Sequence, residues 1–287
     1  QLAVQGKLVK QDSKDEPAEE LLEVVADARN KRADSGGKKT ANHSVAIDES
    51  EIPFELPSSW AWTRVGDVLS LKHGYAFKSS TFTNEPTPFV LTSPGSFHET
   101  GGFRDRGPRT RYVQGAVDPE FIFNPGDLMI PMTEQAPGLL GSPAFIPNDG
   151  RTYVHNQRLG KLEPFSSTLS PEFVFLFFNS PFLRGELAKS CSGTTVRHTS
   201  PKKILNVLFP FCALSEQKRI VSKVTDLLSQ VTRLESTLTR REATRTQLLT
   251  AAIHSILSGA PDDDNNVVLA SVTEVEITFV GNHHNDG

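Results

Sequence analysis

The sequence predicts an α+β protein in which one mixed, strand-rich domain is followed by a long helix of the coiled-coil type. Two observations lead to this prediction. Short runs of residues bounded by Gly, Pro, Asn or Asp recur through the middle of the chain and indicate strands. Beyond about residue 215, apolar residues return every three or four positions, and no Pro or Gly interrupts them before Gly259.

The N-terminal region, residues 1–32, is predicted to be helical. Residues 1–9 are typical of the last turns of a helix, and the lack of an initiator Met leads us to expect a chain that begins in mid-protein. A second helix is predicted from Pro17 to about Arg32, because Pro suits the first helical position. Its predicted apolar stripe consists of Leu21, Leu22, Val25 and Ala28.

Two segments are predicted to be flexible. Residues 33–52 contain a Gly-Gly-Lys-Lys run and show no periodicity, so they are predicted to be a linker. Residues 259–287 are acidic and rich in Asn, and we expect this tail to be disordered or weakly ordered.

Residues 53–214 are predicted to form the strand-rich domain. The predicted strands are 88–92, 121–123, 128–131, 144–147 and 158–162. One helix is predicted from the cap Ser170 through Leu187, because Ser170 is a good N-cap and Pro171 suits the first helical position.

The long helix is predicted over residues 215–258. Ser215 is predicted to be its N-cap, and Glu216 places a negative charge in the first turn, where the helix dipole favours it. At about 1.5 Å per residue this helix is on the order of 60 Å long and needs a partner to cover its apolar seam. The seam residues predicted to form a subunit interface are Val224, Leu227, Val231, Leu234, Leu238, Leu248 and Ala252.

Composition agrees with a soluble, cytoplasmic protein. The longest strongly apolar run, residues 173–178, is too short to span a membrane, and no signal peptide is visible. Cys191 and Cys212 are predicted to be reduced thiols. The net charge of −4 conceals a difference between regions, because residues 60–214 contain 15 basic and 12 acidic residues, which is compatible with nucleic-acid binding.

The motifs of common enzymes are incomplete in this sequence. Residues 179–182 resemble the Asn-Pro-Pro-aromatic motif of amino-methyltransferases, but the second position is Ser and no Gly-rich cofactor loop precedes them. Glu216 and Lys218 match only half of a metal-dependent nuclease site, and no phosphate-binding P-loop is present. We therefore predict no catalytic residue, no metal ligand and no cofactor bound by this chain.

Three loops are better candidates for DNA contact. Residues 101–111 contain four arginines, whose guanidinium groups suit both phosphates and guanine, although a solvated charged loop explains the pattern equally well. Residues 192–203 combine small hydroxyl residues with cations, and the alternative for this segment is an ordinary turn. Residues 132–141 place Thr, Glu and Gln where they could read base edges, and the alternative is a structural use of the Gly and Leu residues in the segment. The predicted DNA-binding residues are Lys78, Arg104, Arg106, Arg109, Arg111, Thr133, Gln135, Arg158, Thr194, Thr195, Arg197, Lys202 and Lys203.

The boundary at residues 210–221 closely resembles a conserved region of the specificity (S) subunit of type I restriction-modification enzymes. In that family a segment of the type P-L-x-E-Q-x-x-I ends a DNA target-recognition domain and begins a long conserved helix. The matching residues here are Pro210, Leu214, Glu216, Gln217 and Ile220. Other segments of the chain also resemble this family. They are residues 2–9 and 15–22, the Trp60-x-Trp62 motif at the start of the domain, Gly74–Lys78, Asn156–Arg158, residues 192–195 and residues 251–257.

This resemblance implies the C-terminal half of an S subunit, with the second target-recognition domain and its conserved helix. Such a subunit is not an enzyme. It reads one half of a bipartite double-stranded DNA site and docks methylation and restriction subunits, on which S-adenosylmethionine, ATP and Mg²⁺ are expected. Self-association or pairing with the missing half is also expected. The alternatives are a coiled-coil adaptor whose globular domain binds protein, and a solitary DNA methyltransferase or nuclease domain.

Overall fold

The computed structural model describes residues 1–34, 46–134, 136–190 and 197–258. These residues belong to two units, the first from Gln1 to Val224 and the second from Thr225 onward. The first unit mixes short strands and helices, and the second is helical as far as Leu257. The predicted α+β fold class is confirmed. The predicted boundary at residue 214 differs from this division, because the first turns of the long helix pack into the first unit.

The helices and strands alternate along the first unit without forming a simple repeat. The α-helices are α1 (Ala18–Asp34), α2 (Val65–Val68), α3 (Pro171–Phe178), α4 (Pro181–Ser190), α5 (Pro201–Leu205) and α6 (Leu214–Leu257). The strands are β1 (Ala61–Arg64), β2 (Leu69–His73), β3 (Phe82–Thr83), β4 (Phe89–Leu91), β5 (Tyr112–Val113), β6 (Leu128–Pro131), β7 (Thr133–Glu134), β8 (Ala144–Phe145), β9 (Thr152–Val154), β10 (Leu159–Pro164), β11 (Arg197–His198) and β12 (Leu208–Phe211). Short 3-10 helices cover Leu2–Gln5, Glu49–Glu51, Ser79–Thr81, Pro94–Ser96, Gly107–Arg109 and Pro119–Phe121.

The strands of the described residues form four small sheets. Two of them have four strands, in the orders β2-β10-β6-β8 and β3-β5-β4-β9, and two are pairs, β1-β12 and β11-β7. Every pairing is antiparallel except β4 with β9. Because β6 and β10 lie in the middle of one sheet, the loops that follow β6 and precede β10 emerge side by side.

Aromatic side chains from α3 and β12 form the centre of the core. Phe173, Phe177, Phe209 and Phe211 have no exposed surface, and the ring centroids of Phe177 and Phe209 are 4.6 Å apart. Each such burial contributes about 1.5–3 kcal/mol to stability. Cys212 follows them as a buried free thiol.

The predicted N-terminal helix is confirmed as α1, and its buried residues Ala18, Leu21 and Val25 face the core. The preceding segment forms a 3-10 turn that ends at Gly6, where φ is 66°. A side chain at this position would meet Pro57 Cγ at 2.5 Å, so the close approach requires Gly.

Two predicted elements are wrong in extent. The single helix predicted through Leu187 is divided into α3 and α4, because Asn179 caps the first helix and Pro181 begins the second. The strand predicted at 121–123 is instead the end of a 3-10 turn capped by Asp118, followed by one β-bridge at Ile122.

The long helix is confirmed, but its predicted N-cap is wrong. α6 begins at Leu214, so Ser215 lies inside the first turn and donates to Asp15 Oδ1 at 2.5 Å. Glu216 is buried and accepts hydrogen bonds from Trp60 Nε1 at 2.9 Å and from Gln11 Nε2 at 2.6 Å. Burial raises the pKa of Glu216, although these two hydrogen bonds oppose the shift. Among the helices that the structure describes, none is both long and apolar enough to cross a membrane.

Candidate nucleic-acid interface

Four backbone segments that carry predicted DNA contacts are hydrogen-bonded neighbours. Tyr75 N donates to His155 O at 2.8 Å, and Gln157 N donates to Tyr75 O at 2.9 Å. Met132 N donates to Arg158 O at 2.9 Å, and Thr199 N donates to Met132 O at 3.0 Å. We call residues 74–78, 131–134, 155–158 and 197–203 the basic edge.

Gly74 permits the tightest approach within the basic edge. A Cβ atom at this position would lie 2.3 Å from Asn156 O, so any side chain would push the two segments apart. His155 stabilises the turn at 155–158, because it is buried and its Nε2 donates to Leu159 O at 3.0 Å. Burial lowers the pKa of His155 to about 4, which keeps the imidazole neutral at pH 7.

The exposed cations of the basic edge include Lys78, Arg158 and Lys202. They come from three segments that are far apart in sequence but adjacent through the backbone. Lys203 is also exposed and lines a cavity of about 390 Å³ that it shares with Glu51, Arg64 and Glu186.

Thr133 is the predicted base contact that the structure makes least accessible. Its side chain is buried, and Thr133 Oγ1 lies 3.1 Å from His198 Nδ1 across the β7–β11 pair. Contact between Thr133 and a base would require the residues that cover its side chain to move. The predicted contacts Gln135, Thr194 and Thr195, and the side chain of Arg197, lie outside the described residues.

The arginine-rich loop reaches the basic edge at one end only. Arg111 O accepts from Leu91 N at 2.8 Å, and Thr92 N donates to Val154 O at 3.3 Å, immediately before the 155–158 turn. Arg109 and Arg111 are exposed. These two arginines therefore lie at the end of the β3-β5-β4-β9 sheet from which the 155–158 turn emerges.

The other two arginines of this loop contact protein groups. Arg104 forms an ion pair with Glu99 at 2.6 Å, and Arg106 Nη1 covers Gly95 so closely that a Cβ there would lie at 1.5 Å. Arg151 holds the loop from the side through an ion pair with Asp105 at 2.8 Å. The predicted set of four arginines thus divides into two exposed and two engaged side chains.

Sequence reasoning missed Tyr75 as a candidate contact. Its side chain is 50% exposed, and its ring lies 5.0 Å from the Phe77 ring and 5.1 Å from the Phe121 ring between centroids. An exposed aromatic ring beside Lys78 suits contact with a nucleic acid. The Gly-Tyr-Ala-Phe-Lys run contains this signal, but Lys78 alone of these five residues was predicted to contact DNA.

The predicted interface residues of α6 differ in environment. Val224 packs against the core of the first unit. The exposed fractions of Leu227, Val231, Leu234 and Leu238 are 39%, 49%, 64% and 60%. Leu248 and Ala252 are half-buried, and none of residues 225–258 is fully buried.

Within the described ranges, no three His, Cys, Asp or Glu side chains are grouped so that they could hold a metal ion. Burial of Arg184 in α4, partly offset by the charge of Glu134, lowers the pKa of its guanidinium to about 10. This guanidinium donates hydrogen bonds to four backbone carbonyls and to Asn179 Oδ1.

Comparison with known proteins identifies one family. The family model described as type I restriction modification DNA specificity domain matches residues 57–241. The Type I restriction enzyme EcoAI specificity subunit of Escherichia coli is 31% identical over 231 residues, which cover 79% of this chain and 38% of that protein. The EcoEI specificity subunit of Escherichia coli is 28% identical over 233 residues, with the same coverage of 79% and 38%. The chain thus spans less than half the length of these curated relatives.

A solved structure also shows this fold. It was reported under the description "Structural basis underlying complex assembly and conformational transition of the type I R-M system". The matching chain is 24% identical, with a TM-score of 0.53 over 83% of this chain and 56% of that chain.

Proposed function

Because the chain belongs to the family of type I restriction-modification DNA specificity domains, we propose that it reads one half of a bipartite DNA site. The observation that carries this proposal is the basic edge, which gathers Lys78, Arg158 and Lys202 on neighbouring segments beside Arg109 and Arg111. Cations on adjacent loops suit phosphate contacts, and the polar groups between them suit base edges.

The proposed partners of this chain are double-stranded DNA and the methylation and restriction subunits of the enzyme. The chain would recognise the DNA sequence, whereas S-adenosylmethionine, ATP and Mg²⁺ would bind to the partner subunits. The exposed leucines of α6 support a protein partner, since an apolar seam of this length is stable in water only when it is covered. We propose that this partner is the first long helix of a complete S subunit or a second copy of this chain.

The central experiment is selection of bound DNA from a random pool, with the chain assembled with its methylation subunit. We expect enrichment of one short sequence, and no methyl transfer from S-adenosylmethionine to DNA when the chain is assayed without partners. Enrichment of no sequence would contradict the proposed recognition, and methyl transfer by the chain alone would contradict its proposed role as a recognition subunit.

A protein-binding adaptor is the competing function, and the exposed seam of α6 fits it equally well. For a DNA-binding protein we expect the affinity for DNA to fall steeply as salt is added, and for an adaptor we expect no such fall. For a DNA-binding protein, the logarithm of the affinity falls linearly with the logarithm of the salt concentration, with a slope of about −0.9 for each phosphate contact.

Removal of two exposed cations gives a sharper prediction. Arg109→Ala with Arg111→Ala is expected to weaken DNA binding and to reduce the magnitude of the salt slope by about 2, because each side chain would neutralise one phosphate. Arg104→Ala with Arg106→Ala is expected to change the slope less, since Arg104 is ion-paired and Arg106 packs on Gly95.

The matched control removes two exposed lysines of the N-terminal segment, Lys7→Ala with Lys10→Ala, which lie outside the basic edge. The measurement is fluorescence anisotropy of a labelled duplex over a salt series. An unchanged salt slope in the Arg109 and Arg111 variant would show that these two side chains do not contact DNA phosphates.

A further inference from the structure

Arg184 is the most completely bonded side chain near the basic edge. Its Nε donates to Phe178 O at 3.0 Å, and its Nη1 donates to Gly138 O at 2.6 Å and to Leu140 O at 3.0 Å. Its Nη2 donates to Glu99 O at 3.2 Å and to Asn179 Oδ1 at 2.9 Å. A guanidinium has five N–H groups, so every donor of this side chain has an acceptor.

Among the hydrogen bonds and ion pairs of the described residues, none joins Arg184 to a carboxylate. Burial is costly for a cation, and it lowers the pKa of this guanidinium to about 10, although the charge of Glu134 opposes the shift. An apolar side chain of similar volume would avoid that cost, but it would leave these five acceptors without their donor. The guanidinium therefore fixes the positions of the five acceptors relative to one another.

The acceptors belong to two loops and to the junction of α3 with α4. One loop, residues 98–104, also binds the junction through Asn179 Nδ2, which donates to Thr100 O at 2.6 Å. The other loop, residues 136–142, contains Gly141 at φ +68°, where a Cβ would lie 2.4 Å from Leu187 Cδ1 of α4. Both loops are thus seated on the same two helices.

The two loops are also joined to each other. Gly102 N donates to Pro143 O at 2.8 Å, and Ser142 Oγ donates to His98 O. The second loop leads directly from β7 of the basic edge, and Glu134 Oε1 accepts from Gly138 N at 3.0 Å. The first loop carries Arg104, which is held by Glu99, the residue whose carbonyl Arg184 binds.

We infer that Arg184 is a positioning residue that sets the base preference of this chain by fixing loops 98–104 and 136–142, the second of which is bonded to the basic edge through Gly141 N and Pro131 O at 2.8 Å. The inference rests on the proposed DNA-binding function. Base readout depends on hydrogen bonds of fixed geometry, whereas long basic side chains follow a phosphate that shifts by about 1 Å. A change at Arg184 therefore alters the sequence that is preferred and leaves the number of phosphate contacts the same.

The test is selection from a random DNA pool with Arg184→Lys and the wild type, each assembled with the methylation subunit. Lys keeps the charge and most of the stem, but one ammonium cannot span acceptors on both loops and on the helix junction. We expect preference at one or more base positions to fall on the order of tenfold, which is the value of one good bidentate base contact. The salt slope is expected to remain unchanged.

The control for stability is Phe182→Leu in the same helix, because Phe182 packs on Phe54 and Trp62 and donates nothing to either loop. This variant is expected to lose stability and to select the wild-type sequence. If Arg184→Lys selects the wild-type sequence with the same relative affinities, the positioning role is refuted. If the wild type itself enriches no sequence, the proposed function fails, and this inference fails with it.

Discussion

Replacement of Gln217 by Leu is expected to lower the free energy of unfolding by about 3–5 kcal/mol, since two buried backbone groups and one partly buried backbone group lose their partner. Gln217 Oε1 accepts from Ser170 N at 2.8 Å, and its Nε2 donates to Thr168 O at 3.0 Å and to Cys212 O at 2.8 Å. Gln217 has no exposed surface, so water cannot replace these bonds without rearrangement. The measurement is denaturant unfolding of the whole chain.

The matched control is Lys218→Leu, at the next position of α6. Lys218 is exposed, so the same new side chain is expected to change the free energy of unfolding by less than about 0.5 kcal/mol. If Gln217→Leu unfolds at the same denaturant concentration as the wild type, the three hydrogen bonds contribute nothing to the fold.

The boundary at residues 210–221, which contains Glu216 and Gln217, shows how much of the fold could be predicted from the sequence. Its position was visible, because a heptad pattern begins there and because the residues resemble a known family. Its contacts were not visible, since Gln217 binds Ser170 at a sequence separation of 47 and Glu216 binds Gln11 at a separation of 205. No local periodicity records such pairs, and the same limit explains why Ser215 was wrongly predicted to be a cap.

Strong local patterns predicted α1, α6, β6 and β10 well, whereas short elements were predicted poorly. β3, β5, β7 and β11 have two residues each, which is too short for an alternating pattern to be recognised, whereas the equally short β8 falls within the strand predicted at 144–147. Their existence depends on tertiary pairing. The division between α3 and α4 was predictable in principle, because Pro181 cannot donate a backbone hydrogen bond.

The candidate site was predicted in part. Lys78, Arg109, Arg111, Arg158 and Lys202 are basic residues in loops, and their exposure agrees with the interpretation of the sequence. Arg184 gave no signal, because four of its five acceptors are backbone carbonyls, which every residue type provides. Thr133 was selected for its side-chain chemistry alone, and its burial follows from pairing between β7 and β11.

The second prediction with a large expected effect concerns the apolar seam of α6 and assembly through it. Leu234→Asp with Leu238→Asp is expected to abolish assembly through this helix and to leave the first unit folded. Both leucines are at least 60% exposed, so their replacement removes no core contact within the described chain. In an assembled seam each would be buried, and an unpaired carboxylate there costs several kcal/mol. Sedimentation equilibrium over a range of concentrations measures the outcome.

The opposite face of the same helix provides the control for this prediction. Ser229 and Ser236 lie about 180–200° around α6 from the seam at about 100° per residue, so Ser229→Asp with Ser236→Asp adds the same charge without entering it. Arg241 and Arg245 continue the heptad positions, and burial of these cations requires acidic partners or a local opening of the seam. We therefore expect self-association of the wild type to weaken at high salt and the control to behave as the wild type does. A wild-type chain that stays monomeric at high concentration, alone and with its methylation subunit, would exclude α6 as an assembly surface.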